Sequence, residues 1–300
     1  MKVYYLILFP FSLLPHFMAN FLGKCLGSLY YWIDKKHRIE VQERIQKCLK
    51  VSDTKKIELA KEFYRSFGVF VIEMTRLPFH NKKSIHKIVT NSEHEKIQNI
   101  LKEGNGCILV TGHFGNWEYA GMAFALMGLP INAVSKPLKI SSLDRFLTHC
   151  RQKNGIKTIH QKDAYREMLR ALKKNEIVVL LLDFETSPEK GGIFVPFFGE
   201  MAASIPTAAM VHLKTNAPII VARNRRSPDL TTSYTDIDQI IYGSDAQTKE
   251  EKIVDITRKI NESYERFIVA CPPEWLWLQR RWRFPYEKKL LSENNKEDSI

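Results

Sequence analysis

The 300-residue chain lacks the short signatures of several large enzyme classes. It has no H-E-x-x-H, no phosphate-binding G-x-x-x-x-G-K-[ST] loop and no G-x-G-x-x-G turn, which leaves zinc hydrolysis, nucleotide hydrolysis and dinucleotide redox chemistry without support. No serine stands in a G-x-S-x-G elbow, so a covalent serine nucleophile is not apparent. The five cysteines, Cys25, Cys48, Cys107, Cys150 and Cys271, form no C-x-x-C pair. An odd number of scattered thiols reads as a protein of a reducing compartment, not as a disulfide scaffold or a metal site. Acidic residues are also in short supply, 33 against 45 Lys plus Arg, and the net charge of +12 favours an anionic partner.

What is present begins with residues 3–22, VYYLILFPFSLLPHFMANFL, a run without a charged side chain. It is about the length that crosses a ~30 Å hydrocarbon core as a helix. A secretory signal peptide is the rival reading, but no A-x-A-like cleavage site follows, and a retained anchor is favoured. Pro10, Pro15, His16 and Asn20 suit a kinked or interfacial segment as well as a spanning one. Lys35, Lys36, His37 and Arg38 follow the run, and the positive-inside tendency puts that flank and the rest of the chain on the cytoplasmic side.

Residues 54–77 carry apolar side chains at helical spacing, among them Phe63, Phe67 and Phe70, and read as an amphipathic helix whose aromatic stripe faces a core. From residue 91 onward helical and short apolar segments alternate. Strands are expected at 107–110, 131–135, 156–159, 177–182 and 218–222, with helices near 92–102, 117–127, 142–153, 163–174 and 203–214. This rhythm predicts an α/β fold with a mostly parallel central sheet flanked by helices, preceded by an N-terminal membrane-anchor helix. The division expected is an anchor at 1–34, a catalytic domain at 35–286 and a polar tail at 287–300.

Working residues in such sheets lie just past the carboxyl ends of strands. Two loops have that position, 111–118 and 183–201. The first reads Thr-Gly-His113-Phe-Gly-Asn-Trp-Glu118. On a regular helix five residues advance about 500°, so His113 and Glu118 would not share a face, but a glycine-bearing turn can bring them together. An imidazole oriented by a carboxylate removes a proton from a weakly acidic hydroxyl. With no nucleophile in evidence, direct attack by a substrate hydroxyl is the chemistry that remains.

The string GHFGNWE fits the H-x4-[DE] motif of lysophospholipid acyltransferase-like enzymes, in the form typical of the lipid A late acyltransferases. Further matches in order are SKPLKISSLDRFLTHCRQKNGI, Asp183 followed by GGIFVPFFGEMAAS, APIIVARNRR and PPEWLWLQRRWRFP, so the resemblance extends over most of the chain. It implies transfer of a fatty acyl chain from acyl carrier protein to a hydroxyl of a lipid A precursor, in lipopolysaccharide biosynthesis at the bacterial inner membrane. No cofactor, metal or nucleic acid is implied. His113 resembles the general base and Glu118 its orienting partner, while Arg151 and Asp183 resemble residues that bind substrate or support the site. Backbone amides of the 112–116 turn or of the helix after it are candidates for the oxyanion donors. Two departures bear on lipid contacts: Phe184 follows Asp183 where many relatives are polar, and Lys136 stands where arginine is common. Arg223, Arg225 and Arg226, and Arg280, Arg281 and Arg283 among Trp275, Trp277 and Trp282, form basic clusters suited to lipid phosphates, a membrane surface or the carrier protein. The alternatives are acylation of another membrane lipid, such as a glycolipid or ornithine lipid, and a noncatalytic membrane-anchored lipid-binding protein.

Overall fold

The uncharged N-terminal run breaks at Leu14-Pro15, where proline lacks the amide a continuing helix needs. In the computed structural model, which describes residues 2–90, 92–160 and 163–284, the run forms two helices, α1 (Lys2–Leu13) and α2 (His16–Ile33), bent by 108°. No single helix among the described residues is long and apolar enough to cross a membrane, and only the bent pair taken together has the length and composition to do so. The polar tail expected at 287–300 lies outside the described residues.

Two further helices follow, α3 (Lys35–Leu49) and α4 (Asp53–Arg76), the latter capped by the Ser52 hydroxyl, which accepts from the Lys55 amide. A one-turn helix α5 (Lys82–Ile85) leads into the alternating part: β1 (Val89–Thr90), α6 (His94–Leu101), β2 (Cys107–Thr111), α7 (Trp117–Leu126), β3 (Ile131–Ser135), α8 (Ser141–Lys153), β4 (Lys157–His160), α9 (Ala164–Lys173) and β5 (Ile177–Leu181). The remainder is β6 (Ile193–Phe197), β7 (Glu200–Ser204), α10 (Thr207–Thr215), β8 (Ile219–Arg226), β9 (Ser233–Ile241) and α11 (Lys249–Ala270).

Seven strands form one sheet in the order β1-β9-β8-β2-β5-β3-β4, with only the β8–β9 pair antiparallel. The central strand β2 is buried at every position, as a parallel strand covered on both faces must be. One face packs against α4, α9, α10 and α11 through Val110, Val178, Leu180 and Val221, and the other against α6 and α7 through Leu109, Ile177 and Ile220. The α/β architecture with a mostly parallel sheet is thus as the apolar periodicity implied.

The segment expected as a long loop after β5 contains the hairpin β6–β7, and residues 203–204 belong to β7, not to the following helix. Its two turn residues, Phe198 and Gly199, both have positive φ, as a tight two-residue hairpin turn requires. Phenylalanine is not a residue that announces such a turn, so the composition concealed it.

The sharpest packing constraint is the crossing of α2 on α4. A Cβ on Gly27 would stand 2.0 Å from the Tyr64 carbonyl oxygen, and one on Gly68 would stand 2.1 Å from that of Gly23. The two backbones touch, so no side chain fits between them. Gly68→Val should therefore lower the melting temperature of the detergent-solubilised protein by the equivalent of about 3 kcal/mol or more. Gly121→Ala within α7, where the nearest atom is 3.7 Å away, should be neutral or stabilising by up to ~1 kcal/mol. Equal effects of the two substitutions would refute the crossing.

His80 adds a pH dependence. Its Nε2 lies 2.9 Å from the Tyr119 hydroxyl on α7, and burial, with Arg76 and His16 nearby, pushes the imidazole down to about 4. A histidine buried neutral supports the fold fully above its ordinary value of 6.5, and that support is lost as the pH falls towards 4, because the unfolded chain takes the proton first. Stability should drop by up to roughly 3 kcal/mol across that window, and denaturant titrations of His80→Gln should show a flatter profile.

Candidate active site

β2 and β5 are neighbours with Thr111 opposite Leu181. His113 and Asp183 each lie two residues further on, so parallel register alone sets an imidazole beside a carboxylate. His113 Nδ1 is 2.8 Å from Asp183 Oδ1, and the His113 amide donates to Oδ2 at 2.9 Å. Trp275 Nε1 and Gln279 Nε2 donate to the same Oδ2 at 3.0 and 2.7 Å. Burial pushes the Asp183 carboxyl up, but the His113 charge and the hydrogen bonds outweigh it and hold the group at about 2. An ionised carboxylate only accepts, so Nδ1 carries the hydrogen, and in the neutral imidazole Nε2 is then the nitrogen with the lone pair. Among the described residues Nε2 has no hydrogen-bond partner.

The orienting place expected for Glu118 is thus taken by Asp183. The chain enters α7 at Trp117, and the first turn of that helix carries Glu118 round towards α8. There Arg151 Nε and Nη2 grip it in a two-pronged pair, 3.0 Å to Oε2 and 2.5 Å to Oε1. Burial raises the Glu118 carboxyl, and the Arg151 guanidinium more than offsets this, leaving it below the usual range and ionised. A charge on His113 contributes in the same direction. The four residues singled out from sequence therefore converge, but as two pairs, His113–Asp183 and Glu118–Arg151.

The turn between β2 and α7 is held from three sides. Phe114 bridges to Trp275 in antiparallel fashion, Leu276 donates its amide to the His113 carbonyl at 3.0 Å, and the Gly115 amide donates to the Glu274 carbonyl at 2.9 Å. Gly115 has φ +55° and a Cβ there would meet the Asn224 carbonyl at 2.8 Å, so this position requires glycine. Asn116 caps α7 by accepting from the Tyr119 amide, takes a bond from its own amide to Asn224 Oδ1, and donates to Glu73 Oε2. Behind it Arg226 is buried between Glu73, 2.5 Å away, and Glu274, 3.0 Å away.

Two expectations change as a result. The amides of His113, Phe114, Gly115 and Asn116 all have partners within the protein, so four of the amides expected as oxyanion donors are already engaged in holding the turn's shape. Nor are the arginine clusters open as a whole, although Arg280 and Arg283 stay exposed. Arg226 is buried in the ion network, Arg223 and Arg225 share Asp236, and Arg281 bonds Ala203, Ser204 and Asn261 in the interior. Arg280 stands 3.7 Å from Glu40, and Arg283 pairs with Glu185. A run of arginines shows the charge in the sequence but not the carboxylates folded onto it.

Sequence reasoning missed Trp275 and Gln279, whose only signal was their place in a tryptophan-rich segment. It also took the stripe on α4 as core alone. Phe63 is buried, but Phe67 and Phe70 are half-exposed and, with Trp117, Leu276 and His113, line a narrow cleft. The His113 ring meets Trp117 at 4.6 Å and Phe184 at 4.4 Å, both edge-on, so the base opens onto apolar walls.

The site is thus an oriented imidazole at a strand end beside an apolar cleft, with no serine or cysteine bonded to it among the described residues. The family model for bacterial lipid A biosynthesis acyltransferases matches residues 2–284, and the chain belongs to that family and is an acyltransferase. It is 24% identical over 272 residues to the lipid A biosynthesis lauroyltransferase of Escherichia coli, covering 90% of this chain and 87% of that one. It is 22% identical over 259 residues to a lipid A biosynthesis acyltransferase of Haemophilus influenzae, covering 85% and 79%. It is also 21% identical over 238 residues to a phosphatidylinositol mannoside acyltransferase of Mycolicibacterium smegmatis, covering 75% and 72%.

The two pairs make separable predictions. Asp183→Asn should keep the fold and lower turnover on the order of 10³- to 10⁴-fold, because the amide no longer fixes the Nδ1–H tautomer. Glu118→Gln leaves Arg151 nearly buried without its counter-charge and should cost about 3–5 kcal/mol of stability. Thermal melts and single-turnover rates on both variants check this. An active Asp183→Asn beside a stable but inactive Glu118→Gln would reverse the assignment.

Proposed function

We propose that the enzyme transfers a fatty acyl chain from an acyl carrier protein thioester to a hydroxyl of a lipid A precursor, with His113 as general base. The observation that carries the chemistry is the 2.8 Å contact of His113 Nδ1 with Asp183 Oδ1, which in the neutral imidazole leaves Nε2 as the acceptor on a ring that lines an apolar cleft. The lipid A enzymes named among the relatives support the acceptor.

The acceptor hydroxyl loses its proton to Nε2 as its oxygen attacks the thioester carbonyl, giving a tetrahedral oxyanion. Collapse breaks the carbon–sulfur bond, and the imidazolium returns the proton to the departing thiolate. Asp183 stabilises the imidazolium without itself being protonated. Arg151, held by Glu118 through Nε and Nη2, has Nη1 available for a polar group of the substrate. Phe67, Phe70 and Trp117 exclude water from the thioester and receive apolar chain.

A mannoside acceptor is the second reading, favoured by the likeness to the mycobacterial phosphatidylinositol mannoside acyltransferase. The same base serves either acceptor, and nothing in the geometry favours a noncatalytic lipid-binding role. Detergent-solubilised protein should convert a tetraacyl lipid A precursor and acyl carrier protein thioesters to a pentaacyl product detectable by mass spectrometry, and His113→Ala should abolish it. A wild type that acylates only a phosphatidylinositol mannoside would keep the base and replace the acceptor. Product from His113→Ala at the wild-type rate would remove His113 from the mechanism.

A further inference from the structure

The bent helix pair leaves one apolar face packed and the other bare. Towards the protein, α1 is fixed by the Tyr4 hydroxyl to Ser142 Oγ at 2.9 Å and by Tyr4 stacked on Phe146, while α2 is fixed by its glycine contacts on α4 and by His16 Nε2 at 2.7 Å from the Thr231 carbonyl. Away from it, Leu6, Ile7 and Leu13 on α1 and Phe17, Phe21 and Trp32 on α2 are each more than half exposed. Single exposed apolar residues need no explanation, but two adjoining helices lined with them do.

The same packing rules out α2 as a membrane span. α2 is ~27 Å long at 1.5 Å per residue, and its second half lies along charged residues of α4. Arg65 Nε donates to Ser28 at 3.3 Å, the Lys61 ammonium stands 6.0 Å from the Tyr31 ring, and both cations are exposed. Lys24 in the middle of α2 donates to the Asp229 carbonyl at 3.2 Å. Driving this helix across a bilayer would carry Lys61 and Arg65 into hydrocarbon or tear the glycine contacts apart.

We infer that α1 and α2 lie in the plane of one leaflet of an anionic phospholipid bilayer, and that the 136–140 loop touches the same surface. That loop has exposed Leu138 and Ile140 alternating with exposed Lys136 and Lys139, and it adjoins α1 through Ser142. Exposed Lys35 and Lys36 complete the rim at the end of α2. Apolar side chains ringed by lysines fit acyl tails bordered by anionic headgroups. The site adjoins this face, because Tyr30 of α2 meets Phe67 of the cleft wall with ring centres 6.4 Å apart. A lipid chain then reaches His113 from the leaflet without crossing water. The inference rests on the lipid-acyltransferase reading for its purpose, but its test does not use activity.

The full-length protein with Cys25→Ser, carrying one cysteine on a short Gly-Ser extension ahead of Met1 or else Lys36→Cys, is treated with a membrane-impermeant maleimide. In-plane helices leave both thiols on one side, so both are modified in inverted vesicles and neither in intact spheroplasts. Modification of the N-terminal thiol in spheroplasts, with Lys36→Cys modified only in inverted vesicles, would show a span and overturn the topology. For the loop, Lys136→Glu with Lys139→Glu should weaken partitioning into vesicles containing phosphatidylglycerol by about fivefold or more per lysine at low salt. Unchanged partitioning would remove the loop from the contact.

Discussion

A buried carboxylate stays charged only where enough donors replace the water it has lost, and Asp183 has four: the His113 imidazole and amide, the Trp275 indole and the Gln279 amide. Each comes from a part of the chain that must arrive independently. The register of β2 on β5 supplies His113, and the segment after α11 supplies Trp275 and Gln279. His113 keeps its hydrogen on Nδ1 because these groups agree, and the turn carrying it is strapped to the same C-terminal segment through Phe114, Gly115 and Leu276.

Around this centre the ionised groups are divided between chemistry and structure. Glu118 with Arg151 forms a closed pair beside the base, and Arg226 with Glu73 and Glu274 forms a closed network behind the turn. Such pairs add little net stability over an apolar core but are costly to break singly, which makes them good at fixing a unique geometry. Here they fix the start of α7 and hence the direction in which Trp117 and His113 meet the cleft.

α4 joins the site to α2, whose outer face carries exposed apolar side chains. One edge of it accepts α2 at Gly68, and another presents Phe67 and Phe70 to the cleft. Chemistry on a lipid needs the reactive group near the bilayer but the charged groups out of it. A single helix with a glycine notch, an aromatic edge and a charged edge meets both demands.

The apolar periodicity was enough to give the α/β class and most of the strands and helices from residue 107 to 181, because a buried parallel strand and an amphipathic helix leave different short-range patterns. The ordered motifs were enough for the family, and GHFGNWE singled out His113. The partner of His113 was not legible. Asp183 lies 70 residues from His113 and meets it only through strand register, whereas Glu118, five residues away, is turned aside by the start of a helix. The internal partners of Arg226 and Arg281 were hidden for the same reason, whereas Pro15 already marked the place of the bend. Sequence determines which groups are available and the local geometry each prefers, while only the tertiary structure decides which distant charge each one meets.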